Sequence, residues 1–127
     1  MREILFKAKR KDNGEWVEGY LMDEDYINTP FNDYDVGGRF DDPVEIDPQT
    51  ICQYTGLTDK NGKKIWENDI VECGMKLRVS WHHFKASWVL SKKGWMYNHF
   101  FGESVEPEDV EVIGNIFDNP ELLEVKK

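Results

Sequence analysis

The chain of 127 residues carries 25 acidic against 16 basic side chains, a net charge of −9, with 39% hydrophobic and 13% aromatic residues. That length and apolar content suit one domain with one core, to which the Trp, Tyr and Phe rings contribute roughly 150–250 Å² each. The charge argues against broad affinity for nucleic acid or an anionic membrane, and the apolar runs are far short of the roughly 20 residues that a bilayer span needs.

The chain opens on the charged Met1-Arg2-Glu3 with no apolar signal segment. The expectation is therefore a cytoplasmic protein, in which Cys52 and Cys73 stay reduced. Ile4, Phe6 and Ala8 alternate with charged neighbours, and the turn Lys11-Asp12-Asn13-Gly14 leads into Trp16-Val17-Glu18-Gly19-Tyr20-Leu21. This pattern predicts a β-hairpin. From Asp23 to Asp47 nine acidic residues face a single Arg39, with Pro30, Gly37, Gly38, Pro43 and Pro48 among them. The segment reads as an acidic, loop-rich insertion with a short strand at Tyr26-Ile27.

Thr50 to Tyr54 is β-prone, and Asn61-Gly62 stands between it and Ile65-Trp66. That pair signals a hairpin turn, because the favoured two-residue turn needs positive φ. Glu67-Asn68-Asp69 turns again into Ile70-Val71-Glu72-Cys73. Leu77, Val79 and Trp81 then alternate, followed by Phe84, Ala86, Trp88 and Leu90. The centre reads as a β-meander rather than a helix, although Trp81, Trp88 and Trp95 share a seven-residue spacing. Val110 to Phe117 supplies a last strand, and Asp118-Asn119-Pro120-Glu121 signals a short C-terminal helical turn. The fold expected is a single, mainly β domain over residues 1–127, of short antiparallel strands in a sandwich or a small barrel of SH3-like type.

The run Gln53 to Val71, with its glycines, Asn61-Gly62 and Asp69-Ile70-Val71 in order, joins Val112 to Leu123 and the opening Met1 to Ala8. Together they resemble the YopX family, small proteins of phages, prophages and mobile elements. The resemblance implies a shared fold and no stated activity, so no functional residue is carried over. Met22 to Pro43 and Met75 to Pro107 lie outside it. One departure is Asn68, where the family has Gly; Asn is the next residue most willing to enter the left-handed region, so the turn is expected to survive.

Among candidate sites, Gly74 to Phe101 holds Lys76, Arg78, Lys85, Lys92, Lys93 and three histidines without one carboxylate. Lys76, Arg78, Lys85, Trp88, Lys92 and Trp95 thus have the composition of a surface that tracks phosphates and stacks bases. The competing reading puts the tryptophans in the core and the lysines in solvated turns. His82, His83, His99, Cys52 and Cys73 show no zinc-type spacing, and Asp23-Glu24-Asp25 and Asp41-Asp42 lack the ligand ladder of a calcium loop. Ser80, Ser87, Ser91 and Ser104 lack a nucleophile elbow, and Gly37-Gly38 is too short for a phosphate loop. Cys52 reads as a small core residue. Thr55 to Asp59, Glu67 and Asp69 read as turn formers, with Asp59 and Asp69 bonding nearby amides.

These patterns predict no catalytic constellation, no metal and no cofactor. The leading expectation is a phage- or prophage-associated accessory protein, non-catalytic and self-associating, that binds a host or phage protein through the acidic insertion at Asp33, Asp35, Asp41 and Asp42. Single-stranded nucleic-acid binding through the basic aromatic segment is the alternative, and a metal-dependent hydrolase the third.

Overall fold

The computed structural model of the protein describes residues 5–28, 43–82, 86–91, 99–100 and 105–123. It is mainly β, with eleven strands among the described residues and 3-10 turns as its only described helices. The strands form open antiparallel sheets, and no barrel closes among the described residues. Of the two arrangements expected, the closed SH3-like barrel is therefore not formed by the described residues. By density of contacts the chain divides into two compact units, Met1–Tyr54 and Thr55–Lys127.

In the first unit, β1 (Phe6–Lys9) pairs with β2 (Trp16–Asp23) across the expected turn, from Phe6↔Gly19 to Lys9↔Trp16. β2 pairs in turn with β3 (Tyr26–Asn28), which is the short strand anticipated at Tyr26-Ile27, and β3 with β4 (Val44–Glu45). A 3-10 turn at Pro48–Thr50, capped by the Asp47 side chain on the Gln49 N–H, then leads into β5 (Cys52–Thr58). The start of β5 pairs with β1. Side chains alternate across a strand, so Ala8 and Ile27 turn to one face, where they are fully buried with Ile46 and flanked by Phe6, Val17, Leu21, Val44 and Ile51. Gly19 packs against β3, and a Cβ there would meet the Asn28 carbonyl oxygen.

The second unit holds the end of β5, β6 (Lys64–Trp66), and a sheet ordered β10-β9-β8-β7-β11. These are β7 (Asp69–Glu72), β8 (Lys76–His82), β9 (Ser87–Ser91), β10 (His99–Phe100) and β11 (Glu111–Asn115). The meander reading holds for β7 to β9, and Trp81 and Trp88 are cross-strand partners, not stacked turns of a helix. Ile65, Val71, Leu77, Val79, Trp88, Leu90, Val110 and Val112 form the core of this unit. Cys52, in the first unit, is buried as expected, while Cys73 is half-buried. The C-terminal turn is a 3-10 turn at Pro120–Leu123.

Two turns of the family block show how backbone chemistry sets the fold. Gly62 has φ +79°, but Asn61 does not join it in the left-handed region. The two-residue turn expected at Asn61-Gly62 is instead a three-residue loop, closed by Asp59 N–H to the Lys63 carbonyl at 2.8 Å, with Gly62 N–H on the Asp59 carbonyl at 2.9 Å. Asn68 adopts φ 71°, the left-handed conformation expected of it in place of Gly. Its backbone N–H donates to the Val79 carbonyl at 2.8 Å, its carbonyl accepts from Ile116 N–H at 3.0 Å, and its side-chain oxygen accepts from Arg78 Nη2 at 2.7 Å. Asn68→Gly keeps the backbone and loses the Arg78 bonds, so it should cost about 1 kcal/mol in a urea titration. Asn68→Val adds a β-branched side chain to a left-handed residue and should cost at least about 2 kcal/mol.

Candidate functional site

The family block centres on carboxylates turned inward. Asp59 is 5% exposed. Its Oδ1 accepts from the Asn61 and Lys63 N–H groups, both at 2.9 Å, and its Oδ2 from the Val112 N–H at 2.9 Å. Beside it, Lys60 N–H donates to the Val110 carbonyl at 3.0 Å. The carboxylate thus occupies the Val112 N–H of β11, and the loop the carbonyl of Val110 just before that strand, whose partner in the sheet is β7. Asp69, 2% exposed, accepts from the Trp66 N–H through Oδ2 at 2.8 Å. Thr55 Oγ1 donates to the Ile65 carbonyl at 2.7 Å. Burial pushes the Asp59 carboxyl upward, yet the amides of Val112, Lys63 and Asn61, with the Lys63 charge, outweigh it and hold the group below its ordinary value. A carboxylate so committed is a structural acceptor, as the turn reading of Asp59 and Asp69 expected. What the sequence did not suggest is the reach of Asp59 to Val112.

The basic aromatic segment is only partly described. Lys85, Lys92 and Trp95 lie outside the described residues, as does His83. Lys76 and Arg78 share one face of β8, Lys76 exposed and Arg78 half-buried with its guanidinium on Asn68 Oδ1. Trp88 is 6% exposed and belongs to the core with Leu77 and Val79, on the opposite face. Its ring meets Trp81 edge-on at 4.9 Å between centroids, and Trp81 is 36% exposed. The described members of that candidate surface are therefore split between two faces. Asp33, Asp35, Asp41 and Asp42 also lie outside the described residues. Among the described residues, no group of three or more His, Cys, Asp and Glu is placed to hold a metal ion. Nor is any described helix long and apolar enough to cross a membrane.

A face that the sequence reading did not single out lies on the first unit. Tyr20, Met22 and Tyr26 are 55%, 56% and 38% exposed. Strand alternation turns Tyr20 and Met22 away from the core that Val17 and Leu21 flank, and Tyr26 away from the side of the buried Ile27. The register ties the three together, with Tyr20 opposite Asn28 and a bulge setting Asp23 opposite Tyr26. Glu45 stands opposite Tyr26 on β4. Farther along the same face Lys7 and Lys9 lie over the Trp16 ring, at 4.6 and 5.5 Å from its centroid. The missed signal was the alternation of Val17, Gly19 and Leu21, which leaves Tyr20 and Met22 on the solvent side.

The model of the YopX protein family matches residues 5–124, nearly the whole chain. The chain belongs to the YopX family. This YopX-family chain is also similar to a solved structure, protein EF1440 from Enterococcus faecalis, at 25% identity and a TM-score of 0.62, over 98% of this chain and 100% of that one. No curated protein matches it. Neither the family's name nor the neighbour's states an activity, so the chemistry of the YopX-family chain rests on its own surface.

Because the folded Asp59 carboxyl titrates below its ordinary value of 3.8, it stabilises the fold above that pH and ceases to do so as pH falls through the folded value. Asp59→Asn leaves a buried N–H facing other N–H donors and should lower stability at neutral pH by about 3 kcal/mol. In urea titrations across acid pH, the gap between wild type and Asp59→Asn should narrow below about pH 4. A gap that stays constant into strong acid would contradict this role.

Proposed function

We propose that the protein is a non-catalytic interaction module, an accessory protein of a mobile element, that binds a host or phage protein through the outer face of β2 and β3. The observation that carries this reading is the grouping of Tyr20, Met22 and Tyr26, three large and exposed side chains, on one face of one hairpin. Isolated exposed apolar residues are ordinary, whereas grouped ones mark docking surfaces. Tyr and Met are enriched where proteins meet, since an aromatic ring offers a large contact area at small entropic cost. By comparison, the carboxylates of the family block are occupied by backbone amides, which fits a scaffold role.

The test is capture from a bacterial lysate on immobilised full-length protein, with the retained proteins quantified by mass spectrometry. Tyr20→Ser/Met22→Ser should reduce retention of specific partners about tenfold or more, since interface anchors are commonly worth over 1 kcal/mol each. Both positions are exposed, so circular dichroism should show an unchanged fold. Unchanged capture would contradict the reading. Loss of capture only on replacing Asp33, Asp35, Asp41 and Asp42 with Asn would move the surface to the acidic insertion. Light scattering over a concentration series tests the accompanying expectation of self-association.

A further inference from the structure

The exposed charges around the Tyr20, Met22 and Tyr26 face are mostly acidic, and they say what kind of partner fits. Glu18 precedes Tyr20 by two positions on β2, and so shares its face. Asp23, Glu24 and Asp25 form the tip of the β2–β3 hairpin, all exposed, and Asp23 stands opposite Tyr26. Glu45, exposed and opposite Tyr26 on β4, carries an ion pair with Lys11 at 3.5 Å, and such exposed pairs add little. Five carboxylates thus rim three large apolar side chains. The cations of the same face, Lys7 and Lys9, are half-buried and lie over Trp16, with Lys7 opposite Glu18 in the register, so the carboxylates away from them are those of the hairpin tip.

We propose that this face is a docking surface for a basic polypeptide segment, with Lys or Arg side chains of the partner lying over Tyr20 and Tyr26 and meeting the carboxylates at the rim. The proposal rests on the protein-binding reading above and names the partner's chemistry. Charge complementarity supports it, because a cationic segment gains most from Asp23, Glu24 and Asp25 at the hairpin tip, while an acidic one meets like charge there. The face itself supplies a second argument. Its own lysines already sit over an aromatic ring, so the cation–aromatic contact proposed for the partner is one this surface makes within the chain. Met22, between the two tyrosines in sequence, offers an adaptable contact for the alkyl stems of those Lys or Arg side chains.

The experiment is NMR titration of the full-length protein, labelled at methionine methyl groups, with three short peptides: one alternating Arg or Lys with Leu, one alternating Glu with Leu, and one of Gly, Ser and Leu. Met75, 42% exposed in the second unit, serves as the internal control. The basic peptide should shift the Met22 methyl and leave Met75 unmoved, and the other two should shift neither. Asp23→Asn/Glu24→Gln/Asp25→Asn should weaken the basic peptide about tenfold, and raised salt should weaken it further. Tyr20→Ser, which keeps the Met22 reporter, should weaken it by a similar factor. Equal binding of the acidic peptide, or a basic peptide indifferent to the three carboxylates, would overturn the proposal. So would a Met22 shift that follows protein concentration alone, since the occupant would then be a second copy of the chain. If the basic peptide leaves Met22 unmoved while lysate capture still depends on Tyr20 and Met22, the basic partner is refuted and the protein-binding reading stands. If both fail, the face is not a binding surface.

Discussion

The second unit depends on one buried carboxylate. A charge removed from water is costly unless hydrogen bonds replace its hydration, and Asp59 receives three from backbone N–H groups. Two of them shape the loop between β5 and β6, and the third comes from Val112, fifty-three positions away in sequence. One side chain therefore fixes a local turn and ties it to a distant strand. The Lys60 N–H on the Val110 carbonyl extends the same seam. Exposed edges of sheets invite pairing with other chains, and here the Val112 N–H of β11 is taken up by a loop of the same chain. Beneath that seam Val110 and Val112 enter the core with Ile65 and Val71.

This arrangement explains how a block can mark a family without disclosing an activity. Asp59, Asn68, Asp69 and Thr55 look like site residues in a sequence, being polar and placed at turns. In the fold each is engaged with backbone or with a neighbouring side chain. Their chemistry is consumed in holding strands together, so it says which fold is present and little about what that fold does. The surface whose side chains are left to solvent is on the first unit, in Met22 and its neighbours. A scaffold held by buried polar bonds leaves the outer faces of its strands open to change.

Local chemistry in the sequence made several elements legible. The first hairpin followed from alternation and a Gly-containing turn, and Asn68 was assigned its left-handed conformation because few side chains tolerate it. The turn roles of Asp59 and Asp69 and the burial of Cys52 followed likewise. What escaped was non-local or depended on the side to which a strand turns. The bond from Asp59 to Val112 joins segments that no pattern of neighbours connects. The Asn61-Gly62 signal identified a turn but not its length, because the Asp59 side chain favours a three-residue loop. Trp88 was grouped with Lys76 and Arg78 by composition, although its alternation with Leu90 already placed it inward. Tyr20 and Met22 drew no notice because hydrophobic residues in a strand suggest burial, and only the register shows which face is solvated.

The claim that the family block is scaffold and not a reactive site is tested most directly by titrating the Asp59 carboxyl itself, through its side-chain carbon resonance, while following the amide protons of Asn61, Lys63 and Val112. The account predicts a midpoint below the ordinary value of 3.8 for aspartate, with all three amide signals moving in the same transition. A midpoint in or above the ordinary range, with the Val112 amide indifferent to it, would contradict the account and return Asp59 to the residues available for chemistry.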